Sequence, residues 1–91
     1  MTILRITKRP VGRETYDAIS ASVDIEHQHP RGLIMHAASD EGRATQIAQV
    51  WDSEEYARRY DEELLIPALR AAGVSLDAEV AVFELHHLVT P

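Results

Sequence analysis

The stretch LIMHAASDEGRATQIAQVWDSEEY, Leu33 to Tyr56, decides the fold. Leu33 to Ser39 is a short apolar run of strand length. Asp40-Glu41-Gly42 is turn chemistry, with Gly42 free to adopt a positive φ. Ala44 to Trp51 is a second strand-like run, so the two predict an antiparallel hairpin. Asp52-Ser53-Glu54-Glu55 then opens a helix. Asp52 is placed to cap the first N–H groups, and Glu55, three residues on, to complete a capping box.

Working outward, Thr2 to Lys8 is rich in β-branched residues and stops before Pro10, as a strand should. Past Gly12 the period changes. Tyr16, Ile19 and Val23 form one helical stripe, with Arg13, Glu14 and Asp17 on the other side. Residues 24–32 hold His27, His29, Pro30 and Gly32 and read as a loop. On the other flank, Tyr56, Tyr60 and Leu64 make the apolar stripe of the second helix. Glu54/Arg58 and Glu55/Arg59 are i,i+4 pairs on its exposed side. Pro67 predicts a break near Ile66 and a short further helix to Ala72, ended by Gly73. Glu79 to Val89 is a last strand. The order β-α-β-β-α-β is an α+β, ferredoxin-like split βαβ: a four-stranded antiparallel sheet with both helices on one face.

The chain has 91 residues, which predicts one domain over 1–91. A chain this size buries only about 60–65% of its unfolded surface and needs extra stability from a disulfide, a metal or a partner. Cysteine is absent, which excludes disulfides and thiolate metal sites. Nine basic residues, of which only Lys8 is lysine, face fifteen acidic ones, for a net charge of -6. Such a chain is a poor nucleic-acid binder, since that affinity comes from neutralising phosphates. No apolar run is long enough to span a membrane. The N-terminus alternates apolar and polar residues and lacks a signal peptide's apolar centre, so a cytoplasmic location is expected.

The strand faces predict a homodimer. A sheet with one wet face should alternate apolar and polar residues. Here Leu33, Met35 and Ala37 point one way and Ile34, His36 and Ala38 the other; Val80 and Val82 oppose Ala81, Phe83 and Leu85. Both faces are largely apolar, and two helices cover only one. A second copy of the sheet would cover the other through a two-fold interface.

Three segments carry a resemblance: Gly32 to Ala38, Gln49 to Tyr56, and Leu65-Ile66-Pro67-Ala68-Leu69. Together they resemble the dimeric α/β-barrel superfamily, in particular the small bacterial members related to antibiotic biosynthesis monooxygenases. Phe83 to Leu88 also looks like the final strand of small uncharacterised members. The resemblance implies a two-sheet barrel at a dimer interface and a pocket in each subunit between sheet and helices. It implies no single chemistry: the superfamily holds cofactor-independent oxygenases, haem-degrading enzymes, peroxidases, isomerases, polyketide cyclases and members without known activity. Trp51 matches the oxygenase branch's tryptophan. The chain contains no asparagine, so the asparagine of those pockets has no counterpart.

Candidate chemistry rests on few residues. His36 lies mid-strand, where an imidazole needs hydrogen-bond partners, and histidine titrates near neutrality. His36 and His86 are the candidate catalytic residues, with Glu84 able to orient His86. His86 and His87, adjacent on a strand, would point to opposite faces. His27 and His29 alternate and on an extended segment would face one way, but two loop histidines make a weak metal site; no metal and no cofactor is expected. Gln49, Trp51, Tyr56 and Tyr60 are the candidate substrate-binding residues. The aromatic rings would suit a flat ligand, and Gln49 would read a ligand oxygen or pair with His36 across the hairpin. Phosphate-binding loops, nucleophile elbows and His-Glu-x-x-His helices are missing. The expected function is a pocket protein for a hydrophobic polycyclic or quinone-like molecule, acting as a cofactor-independent monooxygenase. The alternatives are a non-catalytic dimeric ligand-binding or accessory protein, and a polyketide cyclase or isomerase of the same fold.

Overall fold

Extended, β-branched segments pair into four strands, and amphipathic segments between them form the helical layer. The computed structural model describes residues 1–91. The strands are β1 (Ile3–Arg9), β2 (Leu33–Asp40), β3 (Thr45–Trp51) and β4 (Glu79–Glu84), and they form one antiparallel sheet in the order β2-β3-β1-β4. Helix α1 (Arg13–Val23) joins β1 to β2. Between β3 and β4 run α2 (Glu54–Tyr60), a π-helical turn (Asp61–Leu65) and α3 (Ile66–Ala71). This is the ferredoxin-like α+β arrangement.

Four local readings are corrected. The N-cap of α2 is Ser53, not Asp52; its Oγ accepts a hydrogen bond from the Tyr56 N–H, so Glu55 is one residue early for a capping box. Of the two helical ion pairs only Glu55–Arg59 forms, at 3.3 Å. Pro67 does not break the helix. It lacks an N–H donor, and the helix widens just before it, with the Ile66 N–H reaching the Asp61 carbonyl five residues back. A π turn adds one residue to the helical repeat. Leu64 is consequently turned out to solvent, and Leu65 takes its place against the core.

The fourth correction is the length of β4. Its last pair with β1 is Glu84 with Ile3, and Leu85 N–H makes one further bond to the Thr2 carbonyl. The partner strand begins at Ile3, so residues 85–89 have no ladder to join and lie outside the strand. His86 and His87 are therefore not strand neighbours on opposite faces; both are exposed.

A bulge in β2 revises the face assignment. Leu33 pairs with Trp51 and Met35 with Val50, leaving an extra residue between them. Leu33 therefore joins His36 on the helix-facing side, where it packs against the buried core of Ile3, Ile25, Trp51, Ala57 and Tyr60. The hairpin closes with Asp40 opposite Thr45, which sets His36 directly across from Gln49.

The faces of β1 have an unexpected polarity. Ile3, Arg5, Thr7 and Arg9 face the helices, while Leu4 and Ile6 lie on the outer side of the sheet. Met35, Ala37, Ala48 and Phe83 share that outer side by strand alternation. Met35 and Phe83 are exposed.

Gly32 is the backbone position that β2 depends on. Its φ is +85°, and a Cβ there would run into the Tyr56 ring. Its carbonyl also accepts the Asp52 N–H at 2.7 Å, tying the start of β2 to the entry of α2. Gly32→Ala combines left-handed strain with overpacking and is expected to destabilise the fold by about 2–4 kcal/mol. Thermal unfolding should show a Tm lowered by about 10 °C or more.

Candidate functional site

The bulge and the hairpin register set three polar side chains in one row across the sheet. His36 on β2 pairs with Gln49 on β3, and Gln49 pairs with Arg5 on β1. All three face the helices. Above them lies a cavity of about 230 Å3, roofed by α1, the π turn and α3. Its walls are mainly apolar, including Ile19, Val23, Leu65, Leu69 and Val80. Arg5, Arg9, Tyr16, His36, Gln49, Tyr60 and Asp61 also line it.

The row is hydrogen-bonded from end to end. The Gln49 amide oxygen accepts from Arg5 Nη2 at 2.8 Å and from Trp51 Nε1 at 3.2 Å. Both partners are pure donors, so the amide oxygen must point at them and the amide nitrogen away. That nitrogen lies 3.0 Å from His36 Nδ1 and donates to it. Nδ1 is therefore an acceptor, and neutral His36 carries its proton on Nε2. Nε2 lies 2.7 Å from the Tyr16 hydroxyl and donates to its oxygen. The Tyr16 proton is left to be donated elsewhere. The far end of the row is closed by an ion pair: both Arg5 terminal nitrogens reach Asp61, at 2.6 and 3.0 Å. Arg5 also sits 5.9 Å from the centre of the Trp51 ring.

Burial sets the protonation states. It holds the His36 pKa below the usual 6.5, and Gln49 acts in the same direction, since a proton on Nδ1 would confront the amide N–H. Tyr60 is pushed up to about 12, first by burial and then by the Asp61 charge, so it stays a neutral phenol.

Of the expected site residues, the structure brings His36, Gln49 and Tyr60 to the cavity. It does not bring Trp51, Tyr56 or His86 there. Trp51 is 0% exposed and lies beneath the row, its ring 5.3 Å from that of Tyr60. Tyr56 packs over Gly32 and under Arg31. His86 lies beyond the end of β4, away from the cavity wall. The His27–His29 segment is a turn, not extended; His27 Nδ1 bonds Asp24 Oδ1 at 2.8 Å, and His29 Nε2 bonds the Glu26 carbonyl at 3.1 Å. Sequence reading missed Arg5, Arg9, Tyr16 and Asp61. One signal was available: Ile3, Arg5, Thr7 and Arg9 share a face by strand alternation, and a central strand buries at least one face.

No family model and no curated protein matches this sequence. Solved structures do match over nearly the whole chain. A variant of SnoaB, a cofactor-independent oxygenase from Streptomyces nogalater, superposes with a TM-score of 0.69 at 14% identity, over 99% of this chain and 98% of that one. A candidate antibiotic biosynthesis monooxygenase from Deinococcus radiodurans gives 0.61 at 16% identity, over 100% and 98%. NE2512, a protein of unknown function from Nitrosomonas europaea, gives 0.74 at 12% identity, over 99% and 94%. The fold is thus that of antibiotic biosynthesis monooxygenase-like proteins, as the sequence resemblance implied. At these identities the likeness is one of fold.

The tautomer is directly measurable. Long-range 1H–15N NMR should show His36 protonated at Nε2 and titrating with a midpoint below 6.5. Because the folded pKa is lowered, this group's contribution to stability is complete above pH 6.5 and lost as pH falls toward the folded value. His36→Gln should flatten the decline of Tm below pH 6.5. His27, whose pKa is raised above 6.5 by its hydrogen bond to Asp24 and by that charge, is shifted the opposite way and serves as an internal control.

Proposed function

We propose that the protein is a cofactor-independent monooxygenase for a small fused-ring phenol, working as a homodimer in the cytoplasm. The observation that carries this reading is the Gln49–His36–Tyr16 relay, which ends in a hydroxyl donor at the wall of an apolar cavity. Such a donor, aimed where negative charge develops, stabilises an oxyanion. The fold neighbours support the reaction class, SnoaB being a cofactor-independent oxygenase. A cavity of about 230 Å3 lies below the usual ~300–1,000 Å3 range of ligand sites, so two fused rings suit it better than four.

In this reading Tyr16 donates to the phenolic oxygen and His36 Nε2–H donates to Tyr16. The hydrogen bond from Tyr16 makes the phenol more acidic, and its proton passes to water. The phenolate is the electron source. Its ring carbon para to the oxygen gives one electron to O2, and the two radicals join at that carbon as a peroxide. Loss of water breaks the O–O bond and removes the ring hydrogen. One oxygen atom stays as a quinone carbonyl and the other leaves as water. A naphthol plus O2 gives a naphthoquinone plus water, and the substrate supplies all four electrons. His36 acts as a donor, because its Nδ1 lone pair is already occupied by Gln49. That same occupancy favours a non-catalytic ligand-binding protein, our second reading, over a cyclase or isomerase that needs a free base.

The test is oxygen uptake with 1,5-dihydroxynaphthalene and no added metal. One O2 should be consumed per quinone formed, without hydrogen peroxide. His36→Ala and Tyr16→Phe should each lower kcat by about 10²-fold, the usual effect of losing one oxyanion donor. Uptake unchanged by both substitutions, or binding with no uptake, would exclude the oxygenase reading.

The dimer rests on the outer sheet face, where Met35 (41% exposed) and Phe83 (52%) stand beside Leu4 and Ile6 with no helix to cover them. Light scattering should give twice the 10.2 kDa chain mass. Phe83→Glu should shift the protein toward monomer, because a like charge then faces its symmetry mate.

A further inference from the structure

Strand β1 presents two arginines to the cavity, and only one has a counter-ion. Arg5 is held by both oxygens of Asp61. Arg9 is just 8% exposed, lines the same cavity, and reaches one protein acceptor, the Leu76 carbonyl at 3.4 Å. Every ion pair in the chain involves other residues. A guanidinium has five N–H donors and remains charged in proteins, so a single long bond leaves most of its donors open. Buried charges are normally paired. Asp61 is the one carboxylate in the cavity wall, and Arg5 already occupies it. Burial depresses the Arg9 pKa, and the charge of Asp61, which Arg5 holds, offsets that only in part.

The position of Arg9 matters as much as its isolation. Arg5 and Arg9 lie four residues apart on one face, about 13 Å along the strand. Thr7 is buried between them on that face and adds a hydroxyl to the cavity wall. The hydroxyl-reading row of His36, Gln49 and Arg5 thus springs from one level of the sheet and the Arg9 side chain from another, and both line one largely apolar cavity. A flat ligand spanning them has a phenolic oxygen at one end and an anion at the other. A planar guanidinium fork matches a carboxylate in two parallel hydrogen bonds. The single unpaired positive charge of Arg9 balances a carboxylate, whereas a phosphate dianion would leave a buried negative charge uncompensated.

We propose that the cavity takes an aromatic hydroxy acid, with its carboxylate seated on Arg9 and its hydroxyl toward Tyr16. This rests on the cavity being the ligand site, as in the proposed function, but not on oxygen chemistry.

The experiment is anaerobic isothermal titration calorimetry with two probes of one shape, 6-hydroxy-2-naphthoate and 6-hydroxy-2-naphthamide. The wild-type protein should bind the acid at least tenfold more tightly than the amide. Arg9→Gln should bring the acid down to the amide's affinity and leave the amide unchanged, while Arg9→Lys should keep part of the preference. Equal affinities in the wild type overturn the proposal. So does an acid preference that survives Arg9→Gln, or no binding of either probe at millimolar concentration. If Arg9→Gln does not fold, the wild-type comparison alone decides. Acid preference without oxygen uptake leaves this inference standing and removes the oxygenase reading; uptake without acid preference does the reverse.

Discussion

Gln49 has one amide oxygen, and two donors hold it. Trp51 comes from the same strand two residues on, and Arg5 from the neighbouring strand. Neither can accept a hydrogen bond, so the amide is fixed in one orientation. That orientation decides the His36 tautomer, which decides that His36 donates to Tyr16, which leaves the tyrosine proton free for the cavity. The chemical character of the site thus follows from a residue that is itself buried and unreactive. Truncating Gln49 would leave three groups short of a partner, a larger disturbance than losing one hydrogen bond.

The helical layer completes the row. Asp61 opens the π turn and meets Arg5 across 56 residues of sequence. The same turn absorbs Pro67 without a break and exchanges Leu64 for Leu65 in the core. Widened helical turns occur often at functional positions, and here one irregularity serves both packing and electrostatics. The apolar core of Ile3, Trp51 and Tyr60 beneath and beside the row keeps water from competing for its hydrogen bonds.

The polarity of β1 sets the character of the whole sheet. Arg5, Thr7 and Arg9 turn toward the helices and build the cavity, while Leu4 and Ile6 turn outward. A monomer would normally do the opposite. With polar side chains on the inner face of β1 and apolar ones on its outer face, the chain buries only nine hydrophobic residues.

The order of elements was legible in the sequence because hydrophobic period and turn chemistry are local properties. The hairpin, the helix opened at Asp52–Glu55 and the final strand each left a local mark. The candidate site was partly legible: a histidine on an apolar strand and a glutamine sharing a face with a tryptophan both stood out. What no local pattern carries is register. The bulge after Leu33, the pairing of His36 with Gln49 and the stop of β4 at Glu84 depend on which residues of distant strands lie opposite. Asp61, Arg9 and Tyr16 joined the site, and Trp51, Tyr56 and His86 stayed out of the cavity, for the same reason. The sequence by itself determined the α+β order, the absence of disulfides and an acidic surface. Tertiary structure alone decided which side chains share the cavity, because hydrogen bonds between distant strands set that geometry.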